Sequence, residues 1–359
     1  MHRSTRRLAT TLVVLTVLSL FPTVAHAQSQ ALRRAADVGS GQPVEAALAV
    51  SQEVFADDSA PAVVLGRSDD FADNLGGAVL ARTLGAPLLL NPSDSLDERV
   101  RAEMDRVLPP GDCAELVGRG EFEVYMLGGT NALSQEIEDE LFGEYCYKRV
   151  SGPTRVETSL QVAEEVLHIR ENRGETGEPE LLIARSDNAV DSATGGAYGG
   201  MFGAPVLVTP SHTLHPDIGR FINLGVSSVT LLGGEAALSA EVEAMVNEAL
   251  SDQEIVATRL AGASRDDTAR VIAEDFAARS SGIDAVTLVN GYVDDAWVLA
   301  FTSAAVNTGE PVLYVAADDL LETTRSFIGA QAPLSTVSAF GDSSLVSDAV
   351  LQEAASAAG

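Results

Sequence analysis

The 359 residues carry 52 acidic side chains against 23 basic ones, a formal charge of −29, and 46% are hydrophobic. Such a balance excludes nucleic acid and anionic membranes as primary partners, because both are held by clustered positive charge. The length accommodates two or three domains of ordinary size, each with its own core.

Arg3, Arg6 and Arg7 precede an apolar run over residues 8–24, and Ala25-His26-Ala27 is a small-x-small cleavage site. This pattern predicts a signal peptide over 1–27, a mature chain starting near Gln28, and secretion to the wall or the medium. The residues after Arg6-Arg7 fit twin-arginine export poorly, so ordinary secretion is expected. No Cys follows the apolar run to take a lipid anchor, and no later apolar stretch is long enough to form a transmembrane segment. Without the leader the chain is more acidic still, and Lys148 is its single lysine.

Apolar spacing then alternates between helical and strand-like. The first stretch predicts helices over 44–55, 73–84 and 96–108, strands over 62–65, 88–91 and 124–127, then Gly128-Gly129 and a helix after Ser134. Residues 109–120 lack periodicity and predict an exposed loop. They hold Cys113, and a disulfide to Cys146 is expected in an exported chain, contributing about 3–4 kcal/mol. Neither cysteine has the spacing of a metal site.

The second stretch predicts a helix over 156–167, with Val156, Leu160, Ala163, Val166 and Leu167 on one face, and a strand over 181–184 buried on both sides. Residues 191–202, small and glycine-rich, suit a helix packed very closely on a sheet. A strand over 204–209, a helix over 216–224 with Pro216 in its first turn, a strand over 226–232 ending in Gly233-Gly234, a helix over 240–250 capped by Ser239 and a strand over 254–260 follow. The third stretch predicts a helix over 268–278, strands at Val286, Val312 and Ala339-Phe340, and a helix capped near Ser347, with no fourth strand. Residues 32–38 stand where the boundary segments 147–150 and 255–260 stand before the second and third stretches. We expect them to contact the third module and close a pseudo-threefold ring.

These stretches are copies. Sliding Pro87 onto Pro205 brings Arg67 onto Arg185, Asp69 onto Asp187, Asp73 onto Asp191 and Gly85 onto Gly203. Alternating strands and helices predict a parallel sheet in each copy, so the fold class is α/β: three tandem modules over 28–150, 151–260 and 261–359.

In open parallel sheets, ligands meet the loops at the carboxyl ends of the strands. There stand Arg67-Ser68-Asp69 and Arg185-Ser186-Asp187; Arg155 and Arg265 form a second repeated pair. Arginine suits phosphate or carboxylate because its planar fork bonds two oxygens. An internal bridge to Asp69, Asp187 or a neighbouring module is equally open to these arginines. Asp73 and Asp191 suit helix N-caps, and the set Asp69, Asp73, Asp187 and Asp191 also offers divalent-ion ligands. Neither GxGxxG nor GxxxxGK[ST] stands at a strand-to-helix turn, so no nucleotide cofactor is expected. His168, His212 and His215 are not repeated, no GxSxG elbow is present, and His212 and His215 suit an exposed loop better than a zinc site. Enzymatic activity is therefore not expected.

LGGTNALS (127–134), LGGEAALS (232–239), RVSGPTRVETS (149–159) and RLAGASRDDTA (259–269), with the R-S-D turns and Gly-Ala-Pro strands, resemble the cell-wall-binding repeat 2 family of Gram-positive exported proteins. The resemblance implies three small Rossmann- or toprim-like modules that hold a protein non-covalently on an anionic wall polysaccharide or teichoic-acid-like polymer. On this reading Arg67, Ser68, Arg155, Arg185, Ser186 and Arg265 contact the polymer. The first copy departs at Ser40-Gly41-Gln42-Pro43, where the arginine motif should stand, and the third has FGDSSLVS and no R-S-D turn. The alternatives are a metal-dependent phosphoryl-transfer enzyme on a toprim-like fold, and a modulator that binds another exported protein.

Overall fold

Short apolar runs between amphipathic segments form parallel sheets covered on both faces. The computed structural model, which describes residues 31–307 and 309–359, contains three of them. The expected signal peptide lies outside the described residues. The elements are β1 (Ala31–Ala35), α1 (Pro43–Val54), β2 (Val63–Arg67), α2 (Gly77–Leu84), β3 (Leu88–Asn91), α3 (Glu98–Val107), α4 (Cys113–Gly118), β4 (Val124–Leu127), α5 (Gln135–Leu141) and β5 (Tyr147–Val150). There follow α6 (Arg155–Asn172), β6 (Glu180–Arg185), α7 (Val190–Phe202), β7 (Val206–Thr209), α8 (Pro216–Ile222), β8 (Ser228–Leu232), α9 (Ala240–Ala249) and β9 (Thr258–Leu260). The last are α10 (Arg265–Arg279), β10 (Ala285–Asn290), α11 (Ala296–Val306), β11 (Val312–Val315), α12 (Glu322–Gln331), β12 (Thr336–Phe340) and α13 (Asp348–Ala358).

The sheets run β3-β2-β4-β5, β7-β6-β8-β9 and β11-β10-β12-β1, every pairing parallel. The third sheet thus takes its edge strand from the far end of the chain, with Ala31 opposite Thr336 and Ala35 opposite Phe340. This is the closure expected of residues 32–38, with the strand itself at 31–35.

Each sheet has an outer and an inner core. Along β4, Val124 and Met126 join a cluster confined to the first module, while Tyr125 and Leu127 join a cluster shared by all three. At the centre of the shared cluster α2, α7 and α11 pack pairwise. A Cβ on Gly196 of α7 would stand 3.0 Å from that of Ala78 in α2 and 3.5 Å from that of Ala304 in α11, so small residues let three helix backbones meet. Gly195 serves the other side, since a Cβ there would lie 2.3 Å from Leu232 of its own sheet. Around this centre α6 packs on α2 and β7, α10 on α7 and β11, and α1 on α11 and β3. Every boundary helix therefore bridges the preceding module and its own, and α1 does so only because the ring is closed.

An arginine on each boundary strand repeats the pattern. Arg149 Nη1 donates to the Gly128 carbonyl (2.9 Å) and its fork to Glu138; Arg259 does the same to Gly233 (2.8 Å) and Glu243. Arg34 on β1 donates to Gly341 (2.8 Å), Val346 (2.7 Å) and Asp348 (2.8 Å).

Three expectations change in detail. Residues 109–120 are not all loop: α4 forms there, capped by Asp112, whose carboxylate accepts from Ala114 N at 2.8 Å. The strand expected over 254–260 is shortened to β9: a 3₁₀ turn over 251–253 ends at Glu254 in the left-handed region, φ 56°, and the extended pairing begins only at Thr258. Asp73 and Asp191 are not N-caps: Asp73 lies in a 3₁₀ turn before α2, and Asp191 is inside the first turn of α7, capped at Ala189.

Replacing Arg34, Arg149 or Arg259 by Ala removes charge-assisted bonds to buried carbonyls, and each variant should lose about 2–3 kcal/mol of unfolding free energy in urea titrations. A full loss for Arg149→Ala and Arg259→Ala with none for Arg34→Ala would mean that β1 is not an integral strand.

Candidate functional site

The carboxyl ends of β2, β6 and β10 lead into the repeated loops. Arg67, the last residue of β2, donates through Nε and Nη2 to both oxygens of Asp69 (2.7 and 2.8 Å), and Arg185 does the same to Asp187 (2.6 and 2.9 Å). Ser93 and Ser211 add bonds to the same carboxylates at 3.0 and 3.4 Å. The guanidinium holds Asp69 down to about 2 and lowers Asp187 likewise. Of the two uses open to Arg67 and Arg185, the internal bridge is the one seen. The backbone N–H groups of Ser68 and Ser186 continue the sheet ladders to Asn91 and Thr209, both at 2.9 Å, and Ser186 is buried.

Arg155 and Arg265 are the first residues of α6 and α10, two of the three bridging helices. Arg155 donates to the Ser186 carbonyl at 3.0 Å while its guanidinium lies 5.4 Å from the Phe71 ring of the first module. Arg265 donates to the equivalent carbonyl, Gly291, and lies 5.1 Å from the Tyr292 ring. In α1 this first position is Pro43, so the third junction has no such arginine; there Ser40 Oγ and Gly41 N donate to Asp295 instead.

The three loops converge on the axis around a cleft of about 230 Å³. The first module contributes Phe71, the second Asn188 and Val190, the third Arg265, Asp294, Trp297 and Tyr314. Tyr314 fixes the junction by donating to the Val190 carbonyl at 2.7 Å. The cleft thus combines one cation, one carboxylate, three aromatic side chains and the Asn188 amide, so that Arg265 is its one side chain able to take an anionic substituent while the rings suit sugar faces. Phe71, Trp297 and Tyr314 carry no repeat signal; the one hint was that Trp297 is the only tryptophan in the chain.

Two buried carboxyls stand behind the loops. Asp73 accepts from Thr158 of α6 at 3.1 Å, across the junction of the first two modules, and burial raises its pKa. Asp191, deeper and at the next junction, is raised to about 6 by burial, against the attraction of Arg185 and Arg265. The glycine turns make room for them. With φ of 87° and 96°, Gly128 and Gly233 have no Cβ to collide with Asp73 and Asp191, which would lie 2.6 and 2.7 Å away. Asp69 and Asp187 are neutralised by their arginines and do not combine with Asp73 or Asp191 into a three-ligand group. Among the described residues, the side chains close enough to share an ion are Glu157, His215 and Asp217, where His215 also caps α8. Among the described residues, too, no helix is long and apolar enough to cross a membrane.

A family model described as Cell wall binding domain 2 (CWB2) matches residues 41–138, 149–243 and 259–351. The chain is 24% identical over 267 residues to the amidase enhancer of Bacillus subtilis (strain 168), covering 74% of this chain and 32% of that protein. It is 25% identical over 174 residues to an uncharacterized protein of Pyrococcus horikoshii, covering 48% and 47%. It therefore spans a third to a half of the length of these relatives. Among solved structures, Cwp8 from Clostridium difficile superposes with a TM-score of 0.74 at 24% identity, over 91% of this chain and 52% of that one. Cwp6 from the same organism superposes with a TM-score of 0.74 at 19% identity, over 92% and 48%. The fold is shared with both.

Asp191 sets a pH dependence. Burial raises its folded pKa from the usual 3.8 to about 6, so the folded chain binds this proton more tightly than the unfolded one. The stability it contributes is present at low pH and is lost as pH rises through about 6. Asp191→Asn should be more stable than the parent at pH 7.5, by up to about 3 kcal/mol, and should flatten the rise in Tm between pH 7.5 and 4.5. A variant less stable at pH 7.5 would mean that Arg185 and Arg265 hold the charged form.

Proposed function

This chain belongs to the Cell wall binding domain 2 family, and from that premise we propose that it is an exported protein held non-covalently on an anionic wall polymer by the axial cleft. The observation that carries this reading is the convergence of all three repeated loops on one cleft around Arg265, with Trp297 and Phe71 as apolar platforms. A polymer of phosphate-linked sugars matches that chemistry: the guanidinium takes a phosphate and the rings take sugar faces. Local cationic contact is required because the chain as a whole, at −29, repels an anion. Arg155, beside Phe71 and Ser186, extends the same surface along the first junction. Arg67, Ser68, Arg185 and Ser186 act in this account mainly by fixing the loops.

We divide the chain into modules 28–150, 151–260 and 261–359, preceded by a leader over 1–27. A second reading, a modulator of another exported protein, is favoured by the likeness to the amidase enhancer over 74% of this chain. We propose no catalytic activity.

Purified chain should co-sediment with isolated Gram-positive walls and be released when phosphate-linked polymers are stripped from them. Arg265→Ala should weaken retention by about tenfold or more, the loss expected for one charge-assisted contact. Arg185→Ala should weaken it less and lower stability. Retention unchanged by stripping, or by Arg265→Ala in a variant with unaltered Tm, would contradict the axial site.

A further inference from the structure

A cleft of about 810 Å³ lies on the first module at the opposite end of the strands from the axial cleft. Its walls include Glu123, which precedes β4, and Cys146 and Tyr147 at the start of β5, so it opens at the amino ends of the sheet. The repeat does not require it. Residues 108–123 join α3 to β4, whereas the corresponding connections are 223–227 in the second module and 332–335 in the third. In the second module this corner is closed by Gln253, which accepts from Val226 N and donates to the Ile222 carbonyl, both at 2.9 Å.

In the first module the corner is held open. The Cys113–Cys146 disulfide, with Cα atoms 5.3 Å apart, ties α4 to the start of β5, and α4 has no buried residue. Pro109 and Pro110 stiffen the approach. Phe142, just after α5, presents a ring that is 77% exposed, and Val117 of α4 is 50% exposed. Both side chains line the same cleft and give it an exposed apolar edge. The charged side chains of the lining are all acidic, Asp58, Asp105, Glu123 and Glu144, and of these Glu144 is paired with Arg101 just outside the lining. Asp105 accepts from the Tyr145 hydroxyl at 2.5 Å and Glu123 from Cys146 N at 2.7 Å, which orients these carboxylates without cancelling their charge.

We propose that this cleft docks an extended cationic segment of a partner protein, its apolar side chains on Phe142 and the prolines and its Lys or Arg side chains on the carboxylates. Charge selects this occupant. A phosphate-bearing polymer would meet three carboxylates that no arginine pairs, Asp58, Asp105 and Glu123, and a second copy of this chain carries −29 itself. The disulfide and prolines preorganise the site, which limits the ordering cost on binding. The two clefts lie at opposite ends of the strands, so a partner could be held while the axial cleft is occupied. This proposal does not depend on the axial reading.

Fluorescence anisotropy of the full mature chain with a labelled twelve-residue peptide alternating Lys with Tyr or Leu tests it. Controls carry Glu for Lys, or Gly for the apolar residues. Binding of the first peptide alone, weakened about tenfold or more by Phe142→Ala and also by Asp58→Asn, is expected. Asp58 has a φ of 54°, which Asn tolerates, and Phe142 is exposed, so both variants should keep the parental Tm. Absence of binding, or binding insensitive to Phe142→Ala and so mere adsorption on an acidic surface, would overturn the proposal. So would self-association of the parent that Phe142→Ala abolishes.

Discussion

Everything in this fold depends on a strand pairing between the two ends of the described chain. A parallel sheet edge is a row of unsatisfied donors and acceptors, and a module that lacks its fourth strand leaves one open beside a buried centre. The first two modules cover that edge with β5 and β9, the last strands of their own stretches of sequence. The third has β1, brought back across the whole sequence. Arg34 then does at Gly341 what Arg149 and Arg259 do at Gly128 and Gly233. Closure also brings α1 against α11, so the third junction is built like the other two, and the loops after β2, β6 and β10 are held around one axis.

The same geometry explains how so acidic a chain spends its few cations. Three arginines clamp the boundary strands, and two more, Arg67 and Arg185, neutralise the aspartates beside them. Surface pairs of this kind contribute little stability, but a planar fork on both carboxylate oxygens fixes a loop. Arg155 and Arg265 sit at helix starts on the junctions, where aromatic rings and carbonyls hold the guanidinium in place. The repeated aspartates behind them are coupled to the repeated glycines by plain volume. Where the third module has no such aspartate, a Cβ on Gly341 would instead meet Leu299 and Leu345.

Much of this could be read in advance, because repetition separates signal from accident. The order of strands and helices, the close-packed glycine helix and the missing fourth strand of the third module were all visible from period and alignment. The missing strand pointed directly to residues 32–38. What escaped had no period. Helix α4 is made by Asp112 and a disulfide rather than by an apolar stripe, so its residues looked like loop. Asp73 and Asp191 looked like caps because they open helical segments, but the chain turns there through a short 3₁₀ or αR step before the helix begins. The axial cleft draws a different residue from each copy, Phe71, Val190 and Trp297, so aligning the copies gives no signal for it.

The central claim is that closure by β1 makes three modules one stable body. Amide hydrogen exchange on a chain that begins at Asp37, compared with one that begins at Gln28, tests it most directly. If the ring is cooperative, exchange should accelerate not only in β12 but in all three axial helices, α2, α7 and α11. Faster exchange confined to β12, with α2 and α7 as protected as before, would show that the modules stand without the closure and would contradict the account.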